Sequence, residues 1–275
     1  MTLSTIRNNP AKQKKVKTKK QKAIAATCAV AFWLLVWHVV SLCVGSELVL
    51  VSPVKVVQTL FTVIFDPDFL KTVWYSAARI LGGFFIALTL GTVLGWVASR
   101  FWVVETLLRP ITAVIKATPV ASFIILVLLW FSGKNLSVII SMLMVFPVIY
   151  MNVLEGIRSA DEKLLEMAQV FRLSVGKKLL YIYLPAVAPF FVSACSVSLG
   201  LCWKSGIAAE VIGTPDGSIG AVFYQAKIFL QTSELLAWTV VVVAVSVAFE
   251  KLFMFLLRLI LKKLKMEDVL NGKRA

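Results

Sequence analysis

Apolar residues run almost unbroken through six stretches of this chain: Ala23–Val44, Val73–Ala98, Ile111–Phe131, Leu136–Leu154, Tyr183–Trp203 and Leu235–Leu257. A helix needs about 20 apolar residues to cross a hydrocarbon core about 30 Å thick, and each stretch meets or approaches that length. The pattern predicts an all-α integral membrane protein. Six spans occupy residues 23–262, with short tails at 1–22 and 263–275. The first stretch follows a basic run, as a secretory signal would. Its apolar length exceeds the usual ~7–15 residues and no small-x-small site closes it, so it reads as a retained span.

Between the spans the periodicity changes. Ser52-Pro53 is a helix start signal, and Val54, Val57, Leu60, Phe61 and Ile64 then share one helical face, with Lys55 and Gln58 opposite. This helix is expected to lie at the outer interface. A second outer connection, Gly206–Thr232, holds the turn Gly213-Thr214-Pro215-Asp216-Gly217 and then a face of Ile219, Val222, Phe223, Ala226 and Phe229. The second span carries Gly83, Ala87, Gly91, Gly95 and Ser99 at four-residue spacing, a stripe that lets helix backbones approach closely. A contact within the subunit and a contact between subunits fit the stripe equally well. Proline is expected to break the third span at Pro119, the fourth at Pro147 and the start of the fifth at Pro185 and Pro189.

Composition then excludes the soluble classes. Of the 275 residues, 59% are hydrophobic and only 16% charged, against about 45–50% apolar and about 25% charged in soluble domains. The net charge of +15 would suit nucleic acid, but its placement argues against that partner. Eight basic residues and no acidic one lie in the first 22 positions, and six more run from Arg258 to Arg274. Arg100, Arg109, Arg158, Lys163, Arg172, Lys177 and Lys178 fall in alternate loops, while the others carry Lys55, Lys71, Lys134, Lys204 and Lys227 accompanied by Glu47, Asp66, Asp68, Glu210, Asp216 and Glu234. Positive charge stays inside, which predicts both termini in the cytoplasm and tails that meet anionic lipid.

Candidate chemistry is sparse. Cys28, Cys43, Cys195 and Cys202 lie in apolar windows without CxxC spacing, and His38 is the lone histidine, so no metal site is expected. Ionisable groups in or beside apolar windows are costly and point to function. Here they are Arg79, Lys116, Lys204 and Glu210, which together with Pro119, three residues after Lys116, make the candidate translocation path; Arg79, Lys204 and Glu210 are close enough to a span end to snorkel.

The loop between the fourth and fifth spans, residues 159–182, is the one sizeable internal cytoplasmic feature. Ser159 or Asp161 can cap a helix with acids in its first turn, and Leu164, Met167, Ala168 and Phe171 form an apolar face. Such a helix can dock in a partner's groove or lie on the lipid surface.

The residues of this loop resemble those of binding-protein-dependent ABC importer permeases: E-A-A, Gly after three more residues, nine residues, then I-x-L-P. Here stand Glu166-Met167-Ala168, Arg172 at the glycine's position, and Ile182-Tyr183-Leu184-Pro185. The glycine that would make the sharp turn is absent, and Gly176, four residues on, is the candidate to make it instead. Leu50-Val51-Ser52-Pro53, Ser76…Arg79…Gly83 and Trp203-Lys204…Ala209-Glu210 extend the likeness to the nitrate, sulfonate, taurine and bicarbonate branch, over roughly residues 50 to 260.

The resemblance implies a type I importer permease in a bacterial cytoplasmic membrane, paired with a second copy, with two cytoplasmic ATPase subunits and an extracytoplasmic binding protein. It implies that Glu166, Met167, Ala168, Phe171, Arg172, Gly176, Leu184 and Pro185 couple to the ATPase. ATP-Mg would then sit on that partner: no G-x-x-x-x-G-K-[ST] occurs here, and this chain is expected to be no enzyme. An ion-driven transporter or channel would predict paired intramembrane carboxylates or an inverted repeat. Only Glu250, next to Lys251, lies well inside a span. A membrane enzyme would need a nucleophile or metal cluster, which the sequence does not offer.

Overall fold

A computed structural model describes residues 19–264, and every regular element among them is a helix. Most of both basic tails therefore lies outside the described residues. The chain divides into two units, residues 1–55 and 56–275. In the first, α1 (Lys19–Val44) ends where Gly45 takes a φ of +63° and its N–H bonds the Ser41 carbonyl at 3.2 Å. Glycine serves there because it enters the left-handed region without a Cβ clash. Trp37 Nε1 donates to the Val51 carbonyl at 3.1 Å, tying the following segment back to α1. Ser52 then caps the start of α2 (Pro53–Ile64), its Oγ accepting the Lys55 N–H at 3.4 Å.

Of the α2 face read from the sequence, Val54, Val57, Phe61 and Ile64 are exposed while Val56 and Val63 are buried. That outward apolar face suits a helix bathed in the membrane interface.

In the second unit, α6 (Gly133–Arg158) makes the densest packing, against α3 (Phe69–Arg100) and against α9 (Leu184–Gly213). Ile80, Phe84 and Ala87 of α3, Val145, Ile149 and Val153 of α6, and Cys195, Leu199, Cys202 and Trp203 of α9 form the main core. The small stripe decides in favour of an intrasubunit contact. A Cβ on Gly83 would strike the Val138 carbonyl, one on Gly91 would lie 2.9 Å from Ile149 Cβ, and one on Gly95 3.0 Å from the Tyr150 carbonyl. Without a hydrophobic driving force in lipid, this close approach supplies the van der Waals contact that holds the helices together.

The register also fixes the topology of this unit. Gly83 meets residues 138–142 and Gly95 meets 150–153, so α3 and α6 run in the same direction. The chain must therefore cross back between Arg100 and Gly133. It does so through a broken span: α4 (Trp102–Ala117) and α5 (Val120–Leu128) meet at an angle of 106° around Thr118-Pro119. The third span, expected over Ile111–Phe131 with a break at Pro119, is this bent pair, and it breaks where expected. Pro119 has no N–H to continue the ladder and disfavours helical backbone at Thr118, which sits at ψ 133°. With the bent pair counted as one crossing, the described residues hold six helical segments long and apolar enough to cross a membrane.

The other prolines behave differently from expectation. Pro147 lies buried within an unbroken α6, and Pro189 within an unbroken α9. Pro185 occupies the first turn of α9, where its missing N–H costs nothing. Glu162–Val170 forms α7, Val175–Lys178 forms α8, and a π-helical turn at Leu179–Tyr183 leads into α9. α9 continues to Gly213, ten residues beyond the expected span end at Trp203. A loop at 214–218 leads to α10 (Ile219–Ile228), and α11 (Thr232–Lys263) closes the unit. Ile219 and Ala226 of the predicted α10 face are buried, whereas Phe229 is exposed.

Candidate functional site

Two polar or connective features stand out, at opposite ends of the second unit. At one end, α7 is built as the sequence suggests. Asp161 caps it, its carboxylate accepting the Lys163 N–H at 2.9 Å. Ala168 is fully buried against Ala160 and Ile182, with Leu165, Leu173 and Ala186 packed around them. Met167 (47% exposed), Val170 (80%) and Phe171 (71%) face outward, as does Glu166. The helix thus has two faces: small residues hold it to the membrane domain, and large apolar ones point away. Unsupported apolar groups of this size mark a surface that another body covers.

The turn after α7 corrects the expectation for Gly176. Arg172 itself takes the left-handed conformation, at φ +48°. The Leu173 N–H bonds the Ala168 carbonyl at 2.9 Å and the Arg172 N–H bonds the Gln169 carbonyl at 3.0 Å, the paired bonds of a Schellman cap. The contact of Leu173 with Ala168 supplies its hydrophobic part. Gly176 lies inside α8, with open space where a Cβ would stand. The chain therefore makes the turn at Arg172, the position where the loop pattern that it resembles has glycine, with a residue that is strained there. Arg172→Gly is expected to raise stability by about 1 kcal/mol through relief of that strain. Thermal unfolding followed by tryptophan fluorescence would show a higher midpoint. Leu184 and Pro185 follow the π-helical turn, Leu184 packing near Ala188 and Leu261.

At the other end, Glu210 is fully buried. Its Oε2 accepts the Ser76 hydroxyl at 2.6 Å and the Gly220 N–H at 3.3 Å, and Ser76 Oγ accepts the Ile219 N–H at 2.9 Å. One carboxylate thereby ties α9 to α3 and to the first turn of α10. Glu210 was expected near a span end, free to snorkel; the extension of α9 to Gly213 places it inside a helix and inside the protein. Glycines permit this crowding. A Cβ on Gly220 would overlap Glu210, and one on Gly133 would overlap the Gly213 carbonyl. Glu210 Oε1, Arg79 Nη1 and Ser137 Oγ are buried without hydrogen-bond partners among the described residues. Arg79 lies one turn after Ser76, its guanidinium carbon 4.2 Å from the centre of the Tyr75 ring.

The remaining candidates stand apart from this hub. Lys116 sits in the last turn of α4, exposed, with Nζ 3.5 Å from Met151 Sδ, directly before the Pro119 bend. Lys204 is exposed and lines a groove of about 430 Å³ with Phe223 and Val243. Ser76 and Gly220 are the partners that sequence reasoning did not assign to Glu210; they lie 134 and 10 residues from it. Glu105 and Arg158, an ion pair between α4 and α6, were also unassigned as partners. Cys195 and Cys202 are buried in the main core, and among the described residues no cluster of His, Cys, Asp and Glu could hold a metal.

Residues 87–266 match the family described as binding-protein-dependent transport system inner membrane component. A putative aliphatic sulfonates transport permease protein of Bacillus subtilis (strain 168) is 29% identical over 83% of this chain and 83% of its own. One of the same description from Escherichia coli (strain K12) is 34% identical over 78% of this chain and 82% of its own. A nitrate import permease protein of Synechocystis is 25% identical over 74% of this chain and 76% of its own. Among solved structures, an amino acid ABC transporter crystallised with histidines shares the fold, with a TM-score of 0.50 at 16% identity, over 70% of this chain and 96% of that one.

Proposed function

The chain belongs to the family of binding-protein-dependent transport inner-membrane components, the permease subunits of ABC importers, and from that premise we propose how it works. Two copies pair around a path for a small anion, and an ATPase subunit docks on the α7 of each. ATP and Mg²⁺ are held by those ATPases, and a binding protein delivers the solute to the opposite face. The observation that carries this reading is the two-faced α7. Ala168 is locked into the membrane domain while Glu166, Met167 and Phe171 project outward, in register with the family's loop pattern.

The charge distribution supports the orientation. α9 runs opposite to α3 and α6, as the pairs Ser76–Glu210 and Ile80–Gly206 require, so Arg100, Arg158, Lys163, Arg172, Lys177 and Lys178 gather at the α7 end. That end is the cytoplasmic one by the positive-inside rule. The basic residues of the two terminal segments favour the cytoplasmic side for both termini by the same rule. Relatives named for sulfonates and nitrate, together with Arg79 and Lys204 toward the other end, favour a sulfonate or small oxoanion as cargo.

The test is uptake and ATP hydrolysis in proteoliposomes carrying the chain with its ATPase and binding protein. Glu166 is exposed and has no ion pair among the described residues, so its removal spares the fold. Glu166→Ala is expected to cut uptake roughly tenfold per ATP hydrolysed, a loss of coupling free energy between the two subunits. Unchanged uptake per ATP would reject α7 as the coupling element.

A further inference from the structure

Beside α7, at the end of α3, two cavities meet that the transport reading does not use. One, of about 450 Å³, has a mixed wall: Ser99 and Arg100 of α3, Gln169 of α7 and Lys178 of α8 supply polar groups, Ile157, Leu165 and Val175 supply apolar ones, and no carboxylate lines it. Neither Arg100 nor Lys178 has an ion pair among the described residues. The other, of about 410 Å³, is a groove lined by Val93, Val97, Val153, Leu184 and Val187, with Thr92 as its only wall of polar type. Trp96, Leu179 and Tyr183 line both. Trp96 and Tyr183 pack edge to face, with ring centres 5.5 Å apart, at the junction of the two cavities.

A cationic, hydrogen-bonding chamber opening past an aromatic pair onto an aliphatic channel has the polarity profile of one kind of molecule. Aromatic side chains of this type favour the headgroup level of a bilayer, and basic residues at that depth attract anionic headgroups. We infer that this composite cavity binds an anionic phospholipid, its phosphate between Arg100 and Lys178 and an acyl chain along the groove past Trp96. The cavity wall is shared with α7 through Leu165 and Gln169, so the lipid braces the coupling helix against α3. The inference rests on the orientation proposed above for the inner leaflet, whereas its test reads lipid contact alone and holds whether or not the chain transports.

The full-length chain, purified with its associated subunits in detergent, is titrated with phosphatidylglycerol or phosphatidylcholine brominated on the acyl chains. The emission of Trp96 is obtained as the difference between wild type and Trp96→Phe. Brominated phosphatidylglycerol should quench that emission at a concentration roughly tenfold lower than brominated phosphatidylcholine. The preference should vanish in Arg100→Gln/Lys178→Gln, and excess inorganic phosphate should leave it intact. Equal quenching by the two lipids in the wild type would overturn the proposal, since the groove would then take any acyl chain. Loss of quenching on adding phosphate would assign the basic chamber to a free anion. Absence of quenching by either lipid would show the groove covered by another subunit. The wild-type comparison stands even if the double variant fails to fold.

Discussion

Gly83→Ala is expected to destabilise the protein by about 3 kcal/mol or more, while Gly82→Ala, one residue earlier, is expected to stabilise it by about 0.5–1 kcal/mol. The opposite signs come from one geometric fact. Gly83 faces α6, and its added methyl would meet the Val138 carbonyl and lie 2.9 Å from Ser141 Cβ. Backbone cannot swing aside as a side-chain tip can, so α3 and α6 would have to separate along their densest contact. Gly82 has nothing within 4 Å of its missing Cβ, and there only the helix propensity of alanine acts. Thermal unfolding in detergent, followed by intrinsic fluorescence, checks both. A neutral Gly83→Ala would mean that the small stripe serves a surface other than α6.

The second large effect falls on Glu210. Removing its carboxylate in Glu210→Ala orphans the Ser76 hydroxyl and the Gly220 N–H in a site without water access. Each orphaned buried group costs about 1–3 kcal/mol, and the cavity left behind adds to that. Glu210→Gln keeps an amide oxygen to accept both bonds, so it should lie much closer to wild type. The structural consequence is local: α10 should detach, exposing residues 214–218 to protease. Equal protease resistance in Glu210→Ala and wild type would show that the carboxylate does not anchor α10.

What could be read from the sequence followed the physics of each feature. Five of the six apolar stretches became single helices because apolar length alone decides them. The α2 start at Ser52-Pro53 and the Asp161 cap of α7 were legible because capping is local chemistry. The candidate coupling segment was legible as a pattern, but its turn was misassigned to Gly176. Arg172 adopts the left-handed backbone because Leu173 and Ala168 gain a hydrophobic contact and two hydrogen bonds that outweigh the strain, a tertiary effect invisible in residue preference. Proline was equally ambiguous. Pro119 breaks its span and Pro147 does not: α6 is held on both sides by α3 and α9, whereas α4 and α5 turn at Thr118-Pro119 and share a core through Ile115, Ile124 and Val127. The Glu210 hub escaped detection for a simpler reason: its serine partner is 134 residues away.

The central claim is that α7 is the surface on which an ATPase subunit acts, and proximity tests it most directly. With Cys28, Cys43, Cys195 and Cys202 replaced by serine, Met167→Cys places a thiol on the exposed face of α7. Phe229→Cys places one beyond α10, at the other end. In membranes containing the whole complex, a short bifunctional thiol reagent should join Met167→Cys to the ATPase subunit, with a yield that changes when ATP is added, and Phe229→Cys should give no such product. Cross-linking of the ATPase through Phe229→Cys, with none through Met167→Cys, would contradict the account.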